Sequence, residues 1–194
     1  VVDYLRAMGA DISIQKKEER PDGWHPQAKL GDGLARTIPK ACGFEAATRW
    51  AITVKASSLH GTDLDMNKTP DALPAMAITG AFASGTTRLL NVPQARAKET
   101  DRIRCMAKEL TKMGVAVEEL PDGLVIHGGL RGTSRPSYLL DGRADHRIVM
   151  ALSLAGLVLD EPCVIDTAEA ISVTFPGYVD LMKSIGANME LRSA

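Results

Sequence analysis

Six side chains of this chain could do acid–base and anion chemistry together: Asp71 in "KTPDALP", Lys98, Glu99 and Arg102 in "AKETDR", and His146 and Arg147 in "ADHR". Paired carboxylates suit general acid–base work, one giving up a proton while the other takes one. Guanidinium and ammonium groups suit a substrate that carries phosphate and carboxylate. The placement of the cations sharpens this reading. Arg102 falls in the first turn of an expected helix, behind Thr100 or Asp101 as N-cap, and Arg147 stands in the same relation to Asp145. A helix start is the positive pole of the helix dipole, so a cation there is disfavoured by roughly 0.3–1 kcal/mol unless something negative lies beside it.

Each residue also has a plainer reading. Asp71 follows Thr69 and Pro70 and fits as an acid favoured by the dipole of its own helix, with Thr69 as N-cap and Pro70 at the first helical position. Glu99 fits as a surface acid paired with Arg102 or Arg96. His146 fits as an exposed or core histidine, Lys98 as a solvated lysine, and the run Lys16–Arg20 as a solvated loop. The residues alone describe an anion-binding α/β protein and leave its chemistry open.

The elements that must position these groups show in a repeat. "LRAMGADISI" (5–14), "LTKMGVAVEEL" (110–120) and "LMKSIGANMEL" (181–191) each read as the last turn of an amphipathic helix, a Gly, and an alternating apolar strand. Gly at the helix C′ position accepts the left-handed conformation that ends a helix. About forty residues before Gly114 and before Gly186 lie "TPDALPAMAITGAFASGTTRLLNV" and "ADHRIVMALSLAGLVLDEPCVIDT". Both run from an Asp through a helix apolar on nearly every side to an apolar strand. Each is followed by a striped helix, carrying Ile103, Met106, Ala107, Leu110 and Met113 in one copy and Phe175, Val179, Leu181 and Met182 in the other. The unit is thus helix, strand, helix, strand, twice over, with Val1–Ile14 ending an earlier copy. Asp71 and Asp145 hold equivalent places in it, which puts their corners on one rim. The expected body is a layered α/β fold with one helix of each unit packed deep inside. Residues 15–50 fall outside the repeat and read as an irregular excursion, and "RWAITVKASSLHGTDLDM" (49–66) reads as two short strands around Ser57–Ser58.

The bulk properties are compatible with one domain or two small lobes: 194 residues, 45% hydrophobic, with a formal net charge of −1. That charge gives no general pull toward nucleic acid or an acidic membrane, so anion binding must be local. The most apolar run, Ile148 to Leu159, is too short to span a bilayer. Cys42, Cys105 and Cys163 show no metal-ligand spacing and read as reduced thiols of a cytoplasmic-type protein. The sequence starts within an apparent helix, without Met, and reads as a piece of a longer protein.

With "LDMNKTPDALPAMAITGAFASGTTRLLNV" (64–92), the motifs "KETDR" (98–102) and "DHR" (145–147) carry a family likeness. The chain resembles the C-terminal part of the 5-enolpyruvylshikimate-3-phosphate synthase family, continuously from about Leu59 to Leu191 and more weakly over Val1–Ile14. The sister enzymes that act on UDP-N-acetylglucosamine differ at both motifs. The resemblance implies an enolpyruvyl transferase fold (an inside-out α/β barrel) of two domains built from βαβαββ units. Residues 1–194 would form a single domain, the C-terminal one. It implies transfer of the enolpyruvyl group of phosphoenolpyruvate to the 5-hydroxyl of shikimate 3-phosphate, with release of phosphate. No metal and no organic cofactor are implied. The implied partners are the two substrates and an N-terminal domain, which would make the isolated piece inactive; nucleic acid and membranes are not among them.

By resemblance Asp71 is the base for the 5-hydroxyl, Glu99 moves a proton at the methylene carbon, and Lys98 lies at the interface of the substrates. Arg102, His146 and Arg147 grip phosphoenolpyruvate, and Gln94 lies toward shikimate 3-phosphate. One position departs from the pattern: many members carry Lys just before "TFP", where this chain has Val173. The rival expectation is a non-catalytic domain that kept the fold and binds an anion or a partner chain.

Overall fold

A computed structural model describes residues 1–17, 49–130 and 138–192. The chain forms two compact units, Asp11–Ala56 on its own and Val1–Ala10 together with Ser57–Ala194. In the smaller unit β1 (Asp11–Lys17) pairs antiparallel with β2 (Arg49–Lys55), in register from Asp11↔Lys55 to Lys17↔Arg49. The expected excursion over 15–50 is therefore strand at both ends, at Gln15–Lys17 and Arg49–Trp50, because those backbones have each other to pair with. Its interior, 18–48, lies outside the described residues, as does Cys42.

The larger unit opens with α1 (Val2–Ala7), closed by Gly9 at a φ of 98°. It continues through β3 (Asp63–Asp65), a 3-10 turn at Pro70–Ala72, α2 (Leu73–Phe82), β4 (Thr86–Leu90), a second 3-10 turn at Pro93–Ala97, α3 (Arg102–Lys112), β5 (Ala116–Leu120) and β6 (Gly123–His127). This is one complete β–α–β–α–β–β unit. Its sheet runs β3-β4-β6-β5, with β3 parallel to β4 and the other pairs antiparallel. A second copy begins with β7 (Tyr138–Asp141), α4 (His146–Gly156) and β8 (Cys163–Asp166), the two strands parallel, followed by a 3-10 stretch at Ala168–Val173 and α5 (Tyr178–Ser184).

The hydropathy pattern decides which helix goes inside. α2, apolar all round, buries Leu73, Met76, Ala77, Ile78 and Ala81 and packs against α3, α4, β4 and β6. α3 buries its apolar stripe, Ile103, Met106, Ala107 and Leu110, with Met113 beyond its end, and two charged residues, Arg102 and Glu109. Gly114 and Gly186 take φ of 91° and 100°, as their place after α3 and α5 requires.

The second copy departs from expectation after its first strand. Phe175 lies before α5 rather than on it, and Phe175 and Leu181 are exposed, while Val179 and Met182 pack on a small cluster around Val149, Ile171 and Tyr178. Residues 187–191 form no strand. β5 has β6 to pair with across the turn at Pro121–Asp122, whereas 187–191 have no strand partner among the described residues, and alternation alone does not hold an extended backbone.

Candidate active site

Three chain reversals bring the site together: the turn before α2, the loop entering α3, and the β7–α4 turn. α2, α3 and α4 pack on one another. Their N-terminal ends carry Asp71, Arg102 and Asp145.

Arg102 is the first residue of α3 and its side chain is fully buried. Its Nε donates to Asp145 Oδ2 at 2.8 Å and its Nη2 to Asp145 Oδ1 at 3.2 Å, a two-point grip on a carboxylate that is itself fully buried. Nη1 donates to Asp71 Oδ1 at 2.9 Å, and Nη2 also donates to Glu99 Oε2. One buried cation thus holds three carboxylates from three elements. Burial alone would lower the Arg102 pKa, but Asp145, Glu99 and Asp71 raise it above the ordinary arginine value, so its charge is fixed.

The rim faces solvent. Lys98 Nζ lies 3.4 Å from Asp71 Oδ1, and Arg147 Nη2 lies 3.4 Å from Asp71 Oδ2. Asp71 is 45% exposed, Glu99 48% and Arg147 40%. Partial burial pushes the Asp71 carboxyl up, but Arg147, Lys98 and Arg102 outweigh it and hold the pKa below the ordinary value. Three cations (Lys98, Arg102, Arg147) therefore face three carboxylates (Asp71, Glu99, Asp145), so the cluster is formally neutral without a ligand. Lys98 and Arg147, on the rim, are the cations an incoming anion can reach, and Asp71 and Glu99 are the acids exposed enough to yield to it.

The caps follow from local chemistry. Asp101 caps α3, accepting from the Arg104 N–H at 3.0 Å, and Asp145 caps α4, accepting from the Arg147 N–H at 2.9 Å. Thr69 does not cap: its hydroxyl donates to Tyr4 at 2.8 Å, and Asp71 lies in the 3-10 turn ahead of α2 with its carboxylate turned to the cations. The β7–α4 turn is unusual in carrying two successive left-handed non-glycine residues, Arg143 and Ala144, at φ 57° and 51°. Thr167 Oγ1 accepts the Ala144 N–H at 2.9 Å, and a Cβ at Gly142 would lie 2.3 Å from Val149 Cγ2. Gly142 leaves no room for a side chain, and the turn ends at Asp145, whose carboxylate meets Arg102.

Of the residues singled out from sequence, Asp71, Lys98, Glu99, Arg102 and Arg147 join in one network. His146 is buried beside it at the first position of α4. Gln94 is engaged elsewhere, its Nε2 donating to Asn67 O at 2.8 Å. Val173 is 80% exposed at the end of its 3-10 stretch. Sequence reasoning gave Asp145 only a capping role and gave Thr100 none beyond that, although Thr100 Oγ1 reaches Asp145 Oδ2 at 3.5 Å. It missed Glu109, a fully buried acid seven residues after Arg102 on the same face of α3. The spacing of two helical turns was the available signal.

A family model described as EPSP synthase (3-phosphoshikimate 1-carboxyvinyltransferase) matches residues 23–182. A 3-phosphoshikimate 1-carboxyvinyltransferase of Ruminiclostridium cellulolyticum is 56% identical over 140 residues, covering 72% of this chain and 32% of that protein. One from Halobacterium salinarum is 40% identical over 190 residues, covering 96% of this chain and 44% of that protein. Among solved structures, an EPSP synthase from Acinetobacter baumannii superposes with a TM-score of 0.75 at 28% identity, covering 99% of this chain and 40% of that one. The enolpyruvyl transferase NikO from Streptomyces tendae, at a TM-score of 0.62 and 18% identity, shares the fold. The chain spans well under half the length of these relatives.

Proposed function

The chain belongs to the EPSP synthase (3-phosphoshikimate 1-carboxyvinyltransferase) family, and from that premise we propose that it supplies the C-terminal domain and half the active site of an enolpyruvyl transferase. In this reading residues 1–194 are one domain of a two-domain cytoplasmic enzyme of aromatic amino acid biosynthesis, and a second domain completes the site. No helix among the described residues is long and apolar enough to cross a membrane. The reaction joins phosphoenolpyruvate to the 5-hydroxyl of shikimate 3-phosphate and releases phosphate.

The observation that carries this reading is the charge-balanced cluster around Arg102, with two half-exposed carboxylates among cations. Asp71 is kept ionised by Arg147, Lys98 and Arg102, the state a base for the 5-hydroxyl needs. Glu99, on the other side of Arg102, picks up a proton from solvent as it leaves its pair with Arg102, delivers it to the methylene carbon and takes one back when phosphate leaves. Both steps pass through a tetrahedral ketal phosphate, whose charge the fixed cations counter. Arg147, on the rim, meets the phosphoenolpyruvate anion directly, with His146 beside it. Arg102 is fully buried, so it meets the ligand only where Glu99 swings away, and otherwise acts by holding Asp71 and Glu99 apart at set positions. Lys98 bridges the two substrates. Gln94 contacts shikimate 3-phosphate only if it leaves Asn67.

A second reading, a non-catalytic anion-binding domain, draws on Val173, an exposed apolar residue where many members carry Lys. Phosphate release separates the two. Combined with the N-terminal half of a family member, the chain should release phosphate from phosphoenolpyruvate only when shikimate 3-phosphate is present. Turnover with UDP-N-acetylglucosamine instead would overturn the substrate assignment, and no turnover with either would favour the binding domain.

A further inference from the structure

Arg96 lies in the last turn of the 3-10 stretch Pro93–Ala97 and is absent from the cluster around Arg102, yet its guanidinium joins three elements. Nε donates to Pro121 O at 2.8 Å and Nη2 to Leu120 O at 2.7 Å, both at the β5–β6 turn. Nη1 donates to Asp101 Oδ2 at 2.7 Å and lies 2.9 Å from Glu119 Oε1. Asp101 is the N-cap of α3, and its other oxygen accepts the Arg104 N–H at 3.0 Å. Both oxygens of the cap are therefore committed, one to the helix and one to Arg96. The start of the same 3-10 turn is already tied to the hairpin by Val92 N–H to Asp122 O at 2.9 Å, so Arg96 fixes its other end.

Lys98 and Glu99 lie between these anchors, and residues 98–101 belong to no helix or strand. Their placement follows from the two ends of the segment: Arg102, buried and held by three carboxylates, and Arg96, held by two carbonyls and two acids. We infer that Arg96 is a positioning residue for the Lys98–Glu99 segment, acting through Asp101 and the β5–β6 turn. The inference rests on the transferase reading for the roles of Lys98 and Glu99, but its structural part stands without that reading. Lysine cannot replace the residue, because one ammonium cannot span two carbonyls and a carboxylate held in a planar fork.

Arg96→Met and Arg96→Lys test this at two levels. In the chain alone, amide hydrogen exchange at Arg104 and Cys105, the first amides bound to Asp101, should speed up about fivefold, the scale of a lost cap, while Leu110 stays unchanged. In the chain complemented with a family N-terminal half, both variants should lower kcat on the order of 10- to 100-fold with little change in the KM for phosphoenolpyruvate. In a Glu99→Gln background the same substitutions should lower kcat by less than about twofold further, because residues that act through one another are not additive. Arg88→Met, which breaks an exposed pair with Asp63, should change neither readout. Unchanged exchange at Arg104, or the same loss of kcat with and without Glu99, would overturn the inference. If the complemented wild type is itself silent, the transferase reading fails, while the exchange measurement still decides whether Arg96 holds the cap.

Discussion

Arg102 and Glu109 lie seven residues apart on the same face of α3, and both side chains are fully buried charges. Arg102 is a cation among acids: Asp145, Asp71 and Glu99. Glu109 is an acid among donors: Lys112 at 2.7 Å, Arg143 at 3.4 Å and the backbone N–H of Asp141 at 3.0 Å. A buried charge must be compensated in either case, so burial does not distinguish a site from a staple. The surroundings do. Around Glu109 the donors close on a fully buried acid and tie the last turn of α3 to β7 and the β7–α4 turn, with Arg143 Nε also 3.1 Å from Asp141 Oδ2. Around Arg102 two of the three acids, Asp71 and Glu99, are half-exposed, and Asp71 meets further cations, Lys98 and Arg147, at open helix ends. That second layer of exchangeable charge is what the proposed function would use.

The comparison breaks most visibly at Arg102 itself. Arg102→Met leaves Asp145 fully buried with no cation against it, and removing one partner of a buried pair costs about 3–5 kcal/mol. Glu109→Gln keeps an acceptor for the Asp141 N–H and leaves Lys112 and Arg143, 44% and 35% exposed, able to reach water; the expected loss is about 1–2 kcal/mol. Urea unfolding of the two variants measures both. Equal losses would mean that Arg102 is no more committed to the fold than Glu109.

Arg147 gives the opposite pairing of effects. Its closest acid is Asp71, also exposed, so Arg147→Ala should change folding stability by no more than about 0.5 kcal/mol. Its binding role is larger: losing a charged hydrogen bond to an anion should weaken phosphoenolpyruvate binding by the complemented protein about tenfold or more. A stability loss like that of Arg102→Met, without loss of affinity, would move Arg147 from the rim to the frame.

Much of this was legible in the chain because it is local. The all-apolar and striped helices, the glycines that end α1, α3 and α5, and the caps Asp101 and Asp145 all follow from neighbours a few residues apart. So did the oddity of Arg102 and Arg147 at helix starts. What answers those cations was legible only at Glu99, expected as a partner of Arg102 three residues away, and not at the distant acids. Arg102 finds its acids at Asp71 and Asp145, 31 and 43 residues away, and only the packing of α2, α3 and α4 makes them neighbours. Expectation put a ligand where the protein first puts its own carboxylates. The missing strand at 187–191 fails for a related reason: alternation shows that a segment can be a strand, and pairing decides whether it is one.

The smallest effect tests whether Asp71 belongs to this exchangeable layer. Its pKa is held below the ordinary value of 3.8 by Arg147, Lys98 and Arg102, against partial burial. The folded chain therefore takes up this proton less readily than the unfolded chain. The stability that the charge contributes is fully present above the unfolded pKa and is lost as pH falls through the lower, folded one. Asp71→Asn removes that contribution at every pH. Its Tm should lie slightly below that of the wild type near pH 7, and the two curves should converge as pH falls through the folded-state pKa, which lies below 3.8. High salt should shrink the gap, because Asp71 is half-exposed and its pairs are screened. A gap that persists undiminished to low pH would mean that the carboxylate's shape, and not its charge, matters to the fold. Asp71 would then belong with Glu109, as part of the frame.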